Sequence, residues 1–137
     1  MIKAETTIRV RYAETDQMGV VYHSNYLVYF EIGRTEMMRA SGISYAELEE
    51  RGYVLAVVES SMKHTGSAKY DDLLTVRTWL RQVTKTRLRF EYAVMRGGDV
   101  LTSGQTTLAF LSRADNMRPV RAPEDVHVNA SKACEPE

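Results

Sequence analysis

Between Tyr22 and Ala40 the chain carries apolar residues at helical spacing, and no other stretch limits the possible folds so sharply. Tyr26, Phe30, Gly33 and Met37 recur on one face, joined by Leu27, Ile32 and Met38, and every residue from Tyr26 to Phe30 is apolar. A helix apolar around so much of its circumference has to be covered on most sides, as when a sheet curls around it. Gly33 in its middle costs about 1 kcal/mol relative to alanine and predicts close backbone packing there. Asn25 is placed to cap the helix, and Ser41-Gly42 ends it with a glycine able to turn left-handed.

The strands for such a sheet lie on both sides of the helix. Residues 4 to 12 alternate, with Ile8, Val10 and Tyr12 on one side and Arg9 and Arg11 on the other. From Ala13 to Gly19 the pattern breaks into a loop around Thr15-Asp16. After the long helix a short one is expected from Ser44 to Glu50, with Ser44 as cap, Glu47 in the capping-box position and Gly52 as stop. Four strands follow: Tyr53 to His64, Leu73 to Val83, Arg87 to Met95 and Leu101 to Leu111. Tyr70-Asp71-Asp72 marks one turn and Gly97-Gly98-Asp99 a hairpin. The order is α+β, about five antiparallel strands and one long helix. One helix covers only one face of a sheet, and Trp79, Leu108 and Phe110 are expected on the other, which predicts a partner subunit.

Composition narrows the function. The 137 residues suit one domain, here residues 1–128, with 129–137 lacking large apolar side chains and expected to be a loose tail. Lys and Arg number 18 against 18 Asp and Glu, so no overall positive field is present to bind nucleic acid or an anionic membrane. The N-terminus shows no apolar signal region, and the longest apolar run, Tyr53 to Val58, is far short of the ~20 residues that span a bilayer. A single cysteine suits a reducing, cytoplasmic setting. Histidines at 23, 64 and 127 with Cys134 offer no metal-ligand spacing, and no Gly-rich phosphate loop or Gly-x-Ser-x-Gly elbow is present. Neither a metal nor a cofactor is expected.

The informative stretch is Thr15-Asp16-Gln17-Met18-Gly19-Val20-Val21-Tyr22-His23-Ser24-Asn25-Tyr26. Asp16 alone reads as a turn residue and His23 as a helix-start residue. Together they place a carboxylate seven residues before a helix N-terminus, across a flexible glycine. Unsatisfied N–H groups and the positive dipole end at such a terminus stabilise a developing oxyanion. Carboxylate and oxyanion donors suit acyl transfer or hydrolysis.

The runs Arg9-Val10-Arg11-Tyr12-Ala13-Glu14-Thr15-Asp16, Gly19 to Tyr26, and Tyr29-Phe30-Glu31-Ile32-Gly33-Arg34-Thr35-Glu36 resemble the hotdog-fold thioesterases of the 4-hydroxybenzoyl-CoA thioesterase class. Within that class they look most like the acyl-CoA thioesterases associated with the Tol-Pal system. The similarity extends to about Pro119. The resemblance implies a central helix wrapped by a curved antiparallel sheet, assembled as a homodimer or homotetramer with active sites at subunit interfaces. It also implies an acyl-CoA substrate, split to a free acid and coenzyme A, with Asp16 catalytic and the His23 backbone N–H polarising the thioester carbonyl. The His23 side chain matches a histidine that relatives use in the site.

Asp16 then acts either as the nucleophile, forming a mixed anhydride, or as the base that activates water. Tyr22, Asn25 and Tyr26 border the expected acyl site. Lys85, Arg87 and Arg89 are the expected holders of the coenzyme A phosphates, with Lys63 and Lys69 as weaker candidates. Many relatives carry proline where Ser67 stands here, a departure that bears on local pocket shape. Glu31 and Glu36 lie where another hotdog clade keeps its carboxylate, and with Asp16 in the loop they read as structural. An acyl carrier protein thioesterase and a non-catalytic acyl-CoA binding module on the same fold are the competing readings.

Overall fold

The computed structural model describes residues 4–137. The apolar helix forms as α1 (Asn25–Ala40), three residues shorter at its start than the spacing predicts. The short helix is α2 (Tyr45–Glu50), with the Ser44 hydroxyl accepting from the Glu47 N–H at 3.4 Å. The strands are β1 (Ala4–Arg9), β2 (Tyr53–His64), β3 (Leu73–Val83), β4 (Arg87–Arg96), β5 (Asp99–Ser112) and a two-residue β6 (Arg118–Pro119). A third helix, α3 (Glu124–Ala133), closes the chain. All pairings are antiparallel in the order β1-β3-β4-β5-β2, with β6 beside β5. No helix among the described residues is long and apolar enough to cross a membrane.

The sheet curls because its ladders are interrupted by register shifts, at Val57/Glu59, Leu80/Gln82 and Val94/Met95, and such bulges add bend and twist. The curl encloses α1. Leu74, Val76, Thr78 and Leu80 of β3 and Leu88, Phe90, Tyr92 and Val94 of β4 are buried. Phe30 of α1 stacks on Tyr92, ring centroids 4.3 Å apart. Gly33 lets α1 approach β3: a Cβ there would stand 2.8 Å from Val76 Cγ1.

Three expectations need correction. Leu108 and Phe110 are not on the outer face but buried, because Leu108 sits opposite Leu88 and cross-strand partners share a face. Trp79 alone of the three points outward, between Arg77 and Arg81. Asn25 does not cap α1: its Nδ2 donates to the Glu14 carbonyl at 3.0 Å, and α1 has no side-chain cap. Finally, residues 129–137 are no loose tail. α3 runs through to Ala133 with Val126, Ala130 and Ala133 buried, and the Glu135 N–H then bonds to the Leu80 carbonyl at 2.8 Å. A stripe whose members are mostly alanine carries little weight in a hydropathy pattern, yet at this spacing it packs.

Candidate active site

The segment before α1 is a tight hairpin. Tyr22 N–H bonds to Glu14 O and Asp16 N–H to Val20 O, each at 2.9 Å, with Thr15 facing Val21 between them. Gly19, at φ +80°, makes the reversal, its N–H bonding to Asp16 O at 2.9 Å. Left-handed backbone of this kind favours glycine. The expected folding-back of Asp16 is therefore met by a ladder.

Within the turn Asp16 Oδ1 accepts the Met18 N–H at 2.9 Å, with the Val20 N–H at 3.5 Å. Its Oδ2 has no hydrogen bond among the described residues, which leaves one carboxylate oxygen for chemistry. At the other end of the hairpin the chain enters α1. The Tyr26 N–H bonds to His23 O at 3.2 Å, while the N–H groups of His23 and Ser24 have no acceptor among the described residues. His23 is exposed, its ring 4.5 Å from that of Tyr22. The arrangement can therefore supply a carboxylate and two backbone donors at a helix N-terminus to one reacting group.

Two supports hold the hairpin. Glu14, only 6% exposed, accepts the Arg11 N–H (2.8 Å) and the Tyr29 hydroxyl (3.0 Å) on Oε1 and pairs with the Arg11 guanidinium at 3.3 Å. Its carbonyl takes Tyr22 N–H and Asn25 Nδ2. Burial, with the bond to Glu14 adding, pushes the Tyr29 phenol well above its ordinary value, so it stays a donor. On the other flank Val21 N–H bonds to Ala68 O at 2.8 Å and Val20 faces Lys69. Lys69 N–H and Arg96 Nη1 both bond to Asp72 Oδ2, at 2.8 and 2.9 Å, and Arg96 Nη1 also reaches Ser67 O.

Asp16, Tyr22, His23, Asn25 and Tyr26 thus share one end of the molecule. Tyr22 is exposed on the hairpin; Tyr26 is buried in the core, its phenol raised mainly by burial, with its ring 5.2 Å from His64. Lys85, Arg87 and Arg89 are not brought to that end. They lie at or near the start of β4, while Arg96 beneath the hairpin is near its finish, a separation of roughly 30 Å along the strand. Nor do the three converge. The Lys85 carbonyl takes Ala122 N–H before α3, Arg87 is exposed, and Arg89 is engaged by Gln105, Glu91 and Glu137. Glu31 and Glu36 are exposed on α1, and Glu36 pairs with Arg39.

Residues 10–129 match the Thioesterase-like superfamily. The chain belongs to that family. The chain is similar to a DHNA-CoA thioesterase from Staphylococcus aureus, 34% identical, TM-score 0.91, covering 96% of this chain and 91% of that one. The protein TT1821 of Thermus thermophilus is 38% identical with the same TM-score, over 95% and 98% of the two chains. The acyl-CoA thioesterase YbgC of Haemophilus influenzae is 35% identical over 120 residues, 87% of this chain and 88% of that protein. The helix wrapped by a curled sheet is the hotdog fold of this thioesterase-like family.

Sequence reasoning quotes Glu14 and Tyr29 only within the resemblance and Asp72 only within a turn, gives none of them a supporting role, and passes over Arg96. The Arg11 to Glu14 spacing of three residues is the available signal for the first. Nothing local announces Tyr29 or Arg96, since their partners are 15 and 24 residues away.

Proposed function

We propose that this protein hydrolyses acyl-CoA thioesters, with Asp16 supplying the carboxylate and the His23 N–H, at the entry to α1, supplying the oxyanion donor. The observation that carries the proposal is the hairpin, which fixes Asp16 by the Met18 N–H and delivers the chain directly into a helix start with unpaired N–H groups. Attack on the thioester carbon, by Asp16 itself or by water that Asp16 deprotonates, puts negative charge on the carbonyl oxygen. The thiolate of coenzyme A then leaves, and the acid departs with an oxygen from water. No metal or further cofactor enters this scheme, and the single cysteine supports a cytoplasmic setting. The family membership and the named activities of the relatives support the same reaction.

The functional unit in this reading is a homodimer, or a homotetramer built from it. Leu27 and Val28 on α1 and Val57 on β2 line a cavity of about 260 Å³, and Ile32 and Val58 of the same elements are exposed as well. A second copy that covers this face also brings cations to the hairpin end: Lys85, Arg87 and Arg89 act on the phosphates of a substrate held by the other protomer's Asp16. Tyr22 and Asn25 border the acyl group.

The test is thiol release from a panel of acyl-CoA esters. Asp16→Asn should cut turnover at least about 100-fold while leaving the circular dichroism unchanged. Activity within about twofold of wild type would overturn the assignment, and ester binding by the wild type without thiol release would favour the non-catalytic module.

A further inference from the structure

One buried charge takes no part in the proposed hydrolysis. Arg34, in the middle of α1, is only 7% exposed, yet its guanidinium makes no ion pair among the described residues. Its Nε donates to the Tyr45 hydroxyl at 3.0 Å and its Nη1 to the Tyr92 hydroxyl at 3.2 Å. Burial pushes both phenols above their ordinary value, so the two acceptors are neutral. The remaining nitrogen, Nη2, has no acceptor among the described residues. A buried cation without a counter-charge is costly, and the Nη1–Nη2 edge of a guanidinium is a fork that matches a carboxylate.

Arg34 borders the 260 Å³ cavity between α1 and β2, whose apolar walls are Leu27, Val28 and Val57. Thr106, also in its lining, lies 2.6 Å by Oγ1 from the Tyr92 hydroxyl that accepts from Arg34. The walls begin at Leu27, about one helical turn past His23, and reach Arg34, eleven residues past it, or roughly 16 Å along the axis. Helical side chains lean back toward the N-terminus, which brings the guanidinium to roughly 10 Å from the oxyanion donor. An extended chain advances roughly 1.2 Å per bond, so about eight bonds close that gap. The one carboxylate on this cavity is Glu31, exposed at its rim. Glu31 and Glu49 also border a second cavity on the other side of Arg34, and neither pairs with it.

We infer, resting on the acyl-CoA hydrolysis proposed above, that Arg34 sets specificity by receiving a carboxylate at the far end of the acyl group, so that coenzyme A half-thioesters of medium-length dicarboxylic acids are the favoured substrates. The thioester lies at the start of α1, the methylene chain against Leu27, Val28 and Val57, and the distal carboxylate on the Nη1–Nη2 edge. A methyl group in the same place leaves the buried charge unmatched. Glu31 acts against the carboxylate as a like charge at the rim. A second copy over this face excludes water from the cavity and strengthens the pairing.

Octanedioyl-CoA and octanoyl-CoA, equal in chain length and different only at the far end, form the test. Wild-type kcat/KM from thiol release should favour octanedioyl-CoA about tenfold, and calorimetric binding to the Asp16→Asn protein should show the same order. Arg34→Met, similar in length and uncharged, should lower that ratio about tenfold in both measurements. If circular dichroism shows Arg34→Met unfolded, Glu31→Gln decides in its place: on an exposed side chain, it should raise the ratio about two- to threefold. No thiol from either ester would overturn the hydrolysis alone, since the binding ratio still reads Arg34. Equal binding of the two esters, tighter binding of octanoyl-CoA, or a ratio that the deciding variant leaves unchanged would overturn the role given to Arg34.

Discussion

The role proposed for Asp16 rests on residues that hold it in place. Its geometry depends on a turn of a few residues, and that turn depends on Glu14 on one flank and on Asp72 through Lys69 on the other. Asp72 exposes this dependence to pH. The Lys69 N–H first, and the Arg96 guanidinium after it, hold its carboxyl below the ordinary value. A folded-state value below the unfolded one means the stabilisation is present above the unfolded value, near 3.9, and is lost as pH falls through the folded value. Asp72→Asn should therefore lower the melting temperature at pH 7, and the gap to wild type should close below about pH 4. Melting curves across pH 2.5 to 7, in about half-unit steps, check it.

At the scale of elements, the body of α1 was legible although its start and its cap were not, and the reason is Gly33. A Cβ added there would meet Thr78 Oγ1 at 2.5 Å and Val76 Cγ1 at 2.8 Å, both on branched side chains with little freedom to yield. Overpacking of this kind costs about 1–3 kcal/mol, whereas alanine gains about 1 kcal/mol in helix propensity. Gly33→Ala should thus be neutral at best and destabilising by up to about 2 kcal/mol, read from denaturant unfolding. This contact was legible because a glycine in the middle of an apolar helix gives up helix propensity, and a close neighbour is what offsets that loss. β2 and β3 were legible to the residue, since alternation and turn residues bounded them. α3 was not, because its buried stripe is Val126 with two alanines and its packing surface is made by the distant β3. The hairpin was half legible: Gly19 signalled a reversal, but its ladder pairs residues through backbone groups, which carry no side-chain signature.

For the whole molecule, the informative fact is distance. The sixteen residues of α1 span about 24 Å, with the hairpin at one end and α2, α3 and the Lys85 turn at the other. One protomer cannot bring Lys85 and Arg87 to its own Asp16, whereas two protomers arranged head to tail can. Sequence reading named six substrate-binding residues for an active site at a subunit interface, and residue numbers, which hold no length scale, do not tell which of them one chain brings to its own Asp16. A mixing experiment separates the alternatives. Asp16→Asn protomers combined with Lys85→Ala/Arg87→Ala protomers should regain acyl-CoA hydrolysis at low substrate that neither parent shows alone; no recovery after verified subunit exchange would mean that the cations serve no neighbour.

The outer edge of β2 has no strand beside it among the described residues, and near its middle the bulge presents Val57 and Val58, 49% and 48% exposed. Twelve residues of open edge invite pairing with any extended chain. The cost of that opening falls on the newly made chain. In the proposed homodimer abundance becomes part of the protein's chemistry: a second copy would close that edge, and at high dilution the same surface is left as a route to misassembly.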